Sequence, residues 1–418
     1  MLTPAQLLIR VFFILIVWGI LEYYAYQSIK TVTADWSDAA QRTLKYVWWT
    51  VPALFLMFVM SVEIVDFRTL APRFRSFMQI SFVLVMVSKL IMSSTMLVDD
   101  LRRIGGFAVS KFSTRPVDYS SRSKFLATAG IFMASIPFAT LTYGMLRNMY
   151  RFTFHRINVP IPALAEGLQG LKIIQISDIH SGSFNRRQPL VDAVKMINDQ
   201  NPDIVFFTGD LVNNIAPEIE QYIDVFGAIK AKHGVFSVLG NHDYGDYMQW
   251  ESDAAKAKNL QDLFAHHKAM GWNLLLNESR ILDINGAQLA VLGVENFGAK
   301  MNFHKHGKLD ITHAGTSDAA MRILLSHDPS HWDYEVNSNP AYQNIELTLS
   351  GHTHGFQFGI EIPGWIKWSP SQYAYKQWAD LYQTGKQFLY VNRGFGVLGY
   401  PGRVGILPEI TVLTLQKA

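Results

Sequence analysis

The hydrophobic and polar positions of this 418-residue chain fall into two regimes that change near residue 158. In the first, apolar residues run almost unbroken through four stretches, roughly 7–28, 47–65, 77–98 and 125–146. A helix rises ~1.5 Å per residue, so each stretch can cross a hydrocarbon layer of ~30 Å. The pattern predicts a membrane domain with four transmembrane helices over 1–150, then a connector over 151–170. A cleavable signal peptide would account for the first stretch alone, and three more follow it. Trp18, Tyr23, Tyr24, Tyr26, Trp36, Tyr46, Trp48 and Trp49 gather in or near the ends of the first two stretches, where the water interface favours such rings.

From the change of regime onward the apolar runs are short, rich in β-branched residues and alternate with helical periods, the mark of βαβ units. Strands are expected at 171–177, 203–208, 235–239, 289–294, 321–326 and 345–350. Helices are expected at 186–200, with Asn185 as N-cap, and around 216–231. Asn285-Gly286 between two apolar runs predicts a hairpin.

Composition sharpens the division. Only 17% of residues are charged and 49% are hydrophobic, a deficit of charge against the ~25% usual for soluble proteins. Residues 1–158 carry 17 Lys and Arg against 8 Asp and Glu, whereas the rest carry 20 against 26, so a basic half precedes an acidic one. That asymmetry suits a lipid bilayer as partner of the first half. It makes nucleic acid an unexpected partner of the second, which lacks a basic run for phosphate contacts. Seven basic residues flank the membrane face shared with the second half and nine flank the other, too small a difference for the positive-inside rule to orient the chain. Lys89 falls near the middle of the third stretch, where an ammonium needs a partner. Glu22 matches it in depth, and a lipid phosphate is the alternative partner.

The polar residues of the second half fall immediately after five of the apolar runs: Asp178-Ile179-His180, Gly209-Asp210, Gly240-Asn241-His242-Asp243, His327-Asp328 and Gly351-His352-Thr353-His354. Residues just beyond the carboxyl ends of strands in an α/β sheet converge on one crevice. Each fragment alone is an ordinary turn or loop, and their ordered conjunction is what points to a site. The motifs contain no Lys or Arg, so divalent cations would have to balance the carboxylates. With no cysteine in the chain, every ligand must offer nitrogen or oxygen, which suits Mn²⁺, Fe or Zn²⁺. The Asp-x-His and His-x-His spacings put paired ligands on one side of an extended segment, and the preceding glycines permit sharp turns.

These five blocks resemble the signature of the calcineurin-like metallophosphoesterases, over about residues 170–416. The resemblance implies a four-layer α/β/β/α sandwich enclosing two divalent metal ions, here preceded by the four-span α-helical membrane domain. It implies that Asp178, His180, Asp210 and His354 hold one ion, and that Asp210 bridges to a second held also by Asn241, His327 and His352. His242 would be a catalytic residue near the leaving group, with Asp243 as one group able to orient it. Mn²⁺ is expected before Fe or Zn²⁺. Two positions depart from the pattern: Asn213, where near relatives often have Asp, and Phe356, which puts a ring at the pocket mouth where many have Gly.

The tail 386–416 resembles the ending of a membrane-associated subgroup, in which Arg393 or Arg403 could present a guanidinium fork to a substrate phosphate. The structural alternative is that both fix a turn between late strands. The function implied is hydrolysis of a phosphodiester or pyrophosphate by metal-activated hydroxide. A lipid-linked or cell-envelope substrate is expected, in keeping with envelope phosphodiesterases and with pyrophosphatases of a nucleotide-linked acylated sugar. The expected location is a bacterial inner membrane, in a multi-pass protein. The competing readings are a phosphoesterase for a soluble nucleotide or phosphoprotein, and a non-catalytic membrane receptor or scaffold. The aromatic stretch 356–384 would serve either a lipid or a stacked base or sugar.

Overall fold

The computed structural model describes residues 4–62, 72–112, 122–300, 303–362 and 364–418. The chain divides into two compact units, Met1–Tyr143 and Gly144–Ala418.

The first unit is helical. Its elements are α1 (Pro4–Val32), α2 (Asp38–Val62), α3 (Pro72–Ser110) and most of α4 (Lys124–Leu146), and each carries one of the four apolar stretches. Residues 63–65 of the second stretch lie outside the described residues. Two helical segments, Ile80–Ser110 and Lys124–Tyr150, are long and apolar enough among the described residues to cross a membrane. The expected four is thus two by this measure. Glu22, Gln27 and Lys30 interrupt the apolar run of α1, and α2 opens with Asp38, Gln41, Arg42 and Lys45. α3 runs past the expected end at residue 98, where Asp99 pairs with Arg102 at 3.0 Å and Asp100 with Arg103 at 3.1 Å, contacts that support another helical turn.

Many large apolar side chains of this unit face outward, among them Phe12, Phe13, Ile20, Leu101, Ile104, Phe125 and Phe132. Its buried charges are paired. Lys89 and Glu22 form a buried ion pair, so of the two partners expected for Lys89 the structure has the carboxylate. The Trp48 ring lies 5.1 Å from the same ammonium.

The second unit is built on two six-stranded sheets. β1 (Thr153–Ile161), β2 (Lys172–Ile176), β3 (Ile204–Phe207), β4 (Val235–Ser237), β5 (Asn273–Leu274) and the last strand, β14 (Glu409–Lys417), form one sheet in the order β1-β14-β2-β3-β4-β5. β6 (Glu278–Ile284), β7 (Ala287–Gly293), β8 (Met321–Leu325), β9 (Leu347–Ser350), β12 (Asp380–Thr384) and β13 (Gln387–Val391) form the other, in the order β12-β13-β9-β8-β7-β6. A separate hairpin joins β10 (Ile360–Ile362) to β11 (Ile366–Trp368). Alternation along the strands sorts their side chains. Ile173, Ile204 and Phe206 of the first sheet share one buried cluster with Leu289, Val291, Ile323 and Leu349 of the second. Ile174, Val205 and Phe207 turn the other way, onto Leu190, Val194 and Ile197 of α5 (Gln188–Asn198).

Three sequence expectations change. The stretch 151–170, read as a connector, contains β1, which pairs in parallel with β14 along nine residues. α5 begins at Gln188 instead of 186 because Pro189 starts it and Asn185 is engaged elsewhere, its Oδ1 accepting from the Tyr150 hydroxyl at 2.8 Å. The helix expected over 216–231 is a 3₁₀ segment, Ala216–Tyr222, running into the short α6 (Ile223–Phe226). Its buried residues Ala216, Ile219 and Tyr222 recur every third position, the 3₁₀ period. The Asn-Gly hairpin forms as expected: Ile284 pairs with Ala287, and Asn285 and Gly286 both take positive φ, 52° and 80°.

Candidate metal centre

The five motifs emerge at the carboxyl ends of β2, β3, β4, β8 and β9 and meet. Ligand-bearing atoms of Asp178, His180 and His354 lie within 4.8 Å of one another, and so do those of Asp210, His327 and His352. In the first group the His354 Nε2 is 3.1 Å from Asp178 Oδ1 and 3.1 Å from His180 Nε2. In the second, His352 Nδ1 is 3.3 Å from His327 Nε2 and 2.8 Å from Asn241 Oδ1. Asp210 joins them, its Oδ2 lying 3.5 Å from His180 Nε2 and 3.2 Å from His327 Nε2.

The backbone that delivers these groups is unusual. Asp178, His180, Asp210, His352 and His354 all adopt positive φ, between 46° and 72°. Such values are uncommon outside glycine, with Asp and His among the residues that tolerate them best, and they concentrate where a site over-determines the local conformation. The expected extended Asp-x-His and His-x-His segments are therefore coiled, and the ligands themselves make the turns. Gly240 and Gly351 serve close approach instead: a Cβ on Gly240 would collide with the Asp210 carboxylate, and one on Gly351 with Ser177 Oγ and the Asp178 carboxylate.

Outer contacts fix which ring nitrogen faces inward. The Val212 carbonyl, 3.2 Å from His180 Nδ1, can only accept, so Nδ1 carries a proton and Nε2 is directed at the group. The Thr208 carbonyl does the same for His327 at 2.7 Å. His352 is turned around: its Nδ1 faces the centre while its Nε2 is 2.9 Å from the Tyr375 hydroxyl, which donates to Asp328 Oδ2 at 3.4 Å.

Charge within the centre is unbalanced. Burial alone would raise Asp178, yet the His354 and His327 imidazoles hold it below the usual carboxylate range. Burial takes His180 down to about 3, while the Asp210 carboxylate overcomes burial at His327 and pushes it up to about 10. The carboxylates thus draw positive charge toward the centre. All-oxygen-and-nitrogen donors, inward-facing imidazole nitrogens and this need for cationic charge fit a pair of divalent ions.

His242 stands beside the first group, its ring centroid 5.0 Å from that of His180. Its Nδ1 donates to the Asn213 carbonyl at 2.7 Å, and the Tyr247 ring packs on it at 4.5 Å between centroids. Asp243 is not its orienting group. The Asp243 carboxylate accepts backbone N–H groups of Asp210, Leu211, Val212 and Gly240, at 2.8–3.2 Å, and so clamps two ligand loops together. Asn213, one of the departures from the family pattern, donates its side-chain amide to Ser183 Oγ at 3.0 Å. The other, Phe356, is exposed.

Neither tail arginine is free for a phosphate. Arg403 is fully buried, and its guanidinium donates to the carbonyls of Arg393, Gly394 and Gly396 while lying 3.4 Å from His354 Nδ1. Arg393, equally buried, is held by the carboxylates of Glu361, Asp380 and Glu409. The phosphate role gives way to the structural one, because the terminal nitrogens of both guanidinium groups are already engaged by acceptors of the fold. Residues without a sequence signal take the open side instead. A pocket of about 210 Å³ beside Asn241 is lined by Tyr244, Asp246, Tyr247, Asn296, Phe303 and His304. Phe303 stands edge-on to His352, 5.0 Å away.

Comparison with known proteins identifies the family. The family model for the calcineurin-like phosphoesterase matches residues 171–356, and one described as the probable calcineurin-like phosphoesterase, transmembrane domain, matches residues 6–149. The metallophosphoesterase YkuE of Bacillus subtilis is 31% identical over 311 residues, 71% of this chain and 98% of that protein. A transmembrane protein with metallophosphoesterase domain from Bos taurus is 28% identical over 319 residues, 74% of this chain and 64% of its own length. Among solved structures, the phosphopantetheinyl hydrolase of Mycobacterium tuberculosis aligns with a TM-score of 0.32 at 14% identity, over 54% of this chain and 89% of that one. With a transmembrane domain at its N-terminal end and the five motifs gathered at one sheet edge, this chain belongs to the calcineurin-like metallophosphoesterases and is a metal-dependent phosphoric ester hydrolase.

Proposed function

We propose that the chain is a multi-pass enzyme of a bacterial inner membrane, with four spans, that hydrolyses a phosphodiester or pyrophosphate bond of a lipid-linked or cell-envelope substrate. In this reading Asp178, His180, Asp210 and His354 hold one divalent ion and Asp210, Asn241, His327 and His352 the second. The observation that carries it is the position of Asp210, whose one oxygen lies within 3.5 Å of an imidazole from each group. When bound, such a pair of ions polarises phosphoryl oxygens and lowers the pKa of water to a value at which hydroxide forms near neutral pH. Mn²⁺ heads the order of expected ions, before Fe and Zn²⁺.

The chain's own residues supply the rest. With Nδ1–H tied to the Asn213 carbonyl, His242 keeps Nε2 for the departing oxygen, to which its imidazolium form, protonated on both nitrogens, would donate the Nε2 proton and return to the neutral ring. The clamp made by Asp243 keeps the Asp210 and Asn241 loops in register. The pocket beside Asn241 offers Tyr247 and His304 to the group next to the phosphate. The two sheets with helices on their outer clusters read as the four-layer α/β/β/α sandwich. The acidic balance of the second half favours a substrate other than nucleic acid.

The test is hydrolysis by the full-length protein, with added Mn²⁺, of a generic soluble phosphodiester and of extracted membrane lipids. Preference for the lipid extract supports the reading, and activity confined to soluble phosphoesters overturns the substrate class. A fragment beginning at residue 157 would be a poor comparison, since it cuts β1 in half.

A further inference from the structure

The β10–β11 hairpin and the segments around it leave large rings in the open beside the candidate centre. Phe356 is 57% exposed, Trp365 77% and Tyr373 79%, with Phe358, Ile360 and Ile362 exposed among them. A cluster of exposed apolar groups on this scale marks an interaction surface.

Two sets of contacts say where that surface lies. On one side it is tied to the centre. Phe356 follows His354 by two residues, Ser369 Oγ donates to the Gly355 carbonyl at 2.7 Å, and Tyr375 at the end of the segment meets His352. On the other side it is tied to loop 400–404: Gly359 N–H donates to the Val404 carbonyl at 2.9 Å, and Gln357 Nε2 to the Tyr400 carbonyl at 2.7 Å. That same loop holds the chain where it leaves an apolar helix. Asn148 Nδ2 donates to the Arg403 carbonyl at 3.0 Å, and the Arg403 N–H donates to the Gly144 carbonyl at 3.3 Å. Residues 144–150 complete Lys124–Tyr150, one of the segments long and apolar enough to cross a membrane. Leu146 is exposed there, and so are Arg147 and Arg151. Helix exit, loop 400–404 and hairpin thus connect as one surface, with aromatic and aliphatic groups edged by arginines. Rings and basic side chains of this kind settle at the headgroup level of a bilayer.

We propose that the 356–373 segment lies in the headgroup layer of the membrane into which the chain is inserted, and that it opens the centre toward that layer, so that a phosphoester is drawn from the lipid surface. The second half of this statement rests on the lipid-linked reading above; the first does not.

The chain has no cysteine, so a single one can be introduced and labelled uniquely. Trp365→Cys and Tyr373→Cys, each carrying an environment-sensitive fluorophore, are placed as full-length protein in vesicles of phosphatidylethanolamine and phosphatidylglycerol with nitroxide-labelled lipid. Lys258→Cys, on the exposed side of α7 (Asp253–Ala269), is the reference. Quenching at 365 and 373 is expected to exceed that at 258 several-fold, with a depth of about 5–10 Å into the interface. Quenching no greater than at 258 overturns the proposal whatever the substrate. Trp365→Asp is expected to lower hydrolysis of a vesicle-borne amphiphilic phosphodiester several-fold and to leave bis(p-nitrophenyl) phosphate hydrolysis unchanged, and equal loss on both overturns the opening toward lipid. Strong quenching in a protein that acts on soluble phosphodiesters alone upholds the hairpin's position and sinks the lipid-linked substrate.

Discussion

In the helical unit a buried ammonium meets a buried carboxylate one to one, Lys89 with Glu22. At the sheet edge of the other unit two buried carboxylates, Asp178 and Asp210, meet imidazoles and backbone N–H groups, and among the described residues no lysine or arginine bonds either of them. The first arrangement balances its own charge and serves the fold. The second lacks cationic charge, and it also holds five ligands in strained backbone conformations, so its completion has to come from outside the chain. Buried charge that cancels internally is structural, whereas buried charge left open in a fixed geometry is a binding site.

The sharpest way to break this contrast is to neutralise the shared carboxylate. Asp210→Asn is expected to lose bound metal and to bring phosphodiester hydrolysis below detection, measured by elemental analysis beside activity. Retained metal and rate would mean the two groups do not act as one centre. His242→Ala comes next: metal content should stay at the wild-type level while kcat falls by about 10²–10⁴, the usual worth of a positioned general acid. On the other side of the contrast, Lys89→Met leaves Glu22 as an uncompensated buried charge, which costs about 3–5 kcal/mol and should appear as loss of folded, extractable protein. The Glu22→Gln/Lys89→Met double variant should regain most of that yield, and a double variant as poor as the single one would assign Lys89 a role beyond the pair. The smallest expected effect is that of Tyr375→Phe, which removes the oxygen facing His352 Nε2 and should weaken metal affinity about 10-fold, read by metal titration.

The candidate ligands were legible in the sequence because strand-end chemistry is local: an apolar run stops and a polar triplet follows it at once. What depends on distant partners was not. Arg393 looks like an open guanidinium until Glu361, Asp380 and Glu409 arrive from three other segments. Asp243 sits next to His242 in sequence, yet its carboxylate is consumed by the N–H groups of Asp210, Leu211 and Val212. β1 escaped notice although Ile157, Val159 and Ile161 alternate with Arg156, Asn158 and Pro160, because a proline inside a run argues against a strand and the partner strand among the described residues, β14, lies far along the chain. Tyr247, Phe303 and His304 carry no motif, and only the folded chain brings them beside Asn241.

The position of β14 has a consequence for how the protein is made. β14, made more than 230 residues after β2, is inserted between β1 and β2, the first two strands of its sheet in chain order. The helices emerge and can enter the bilayer long before that. Until β14 has been made, β1 and β2 present bare edges of the kind that pair with other chains. Tethering to a membrane would hold nascent chains apart during that interval, which matters for a sheet that closes only when β14 is in place.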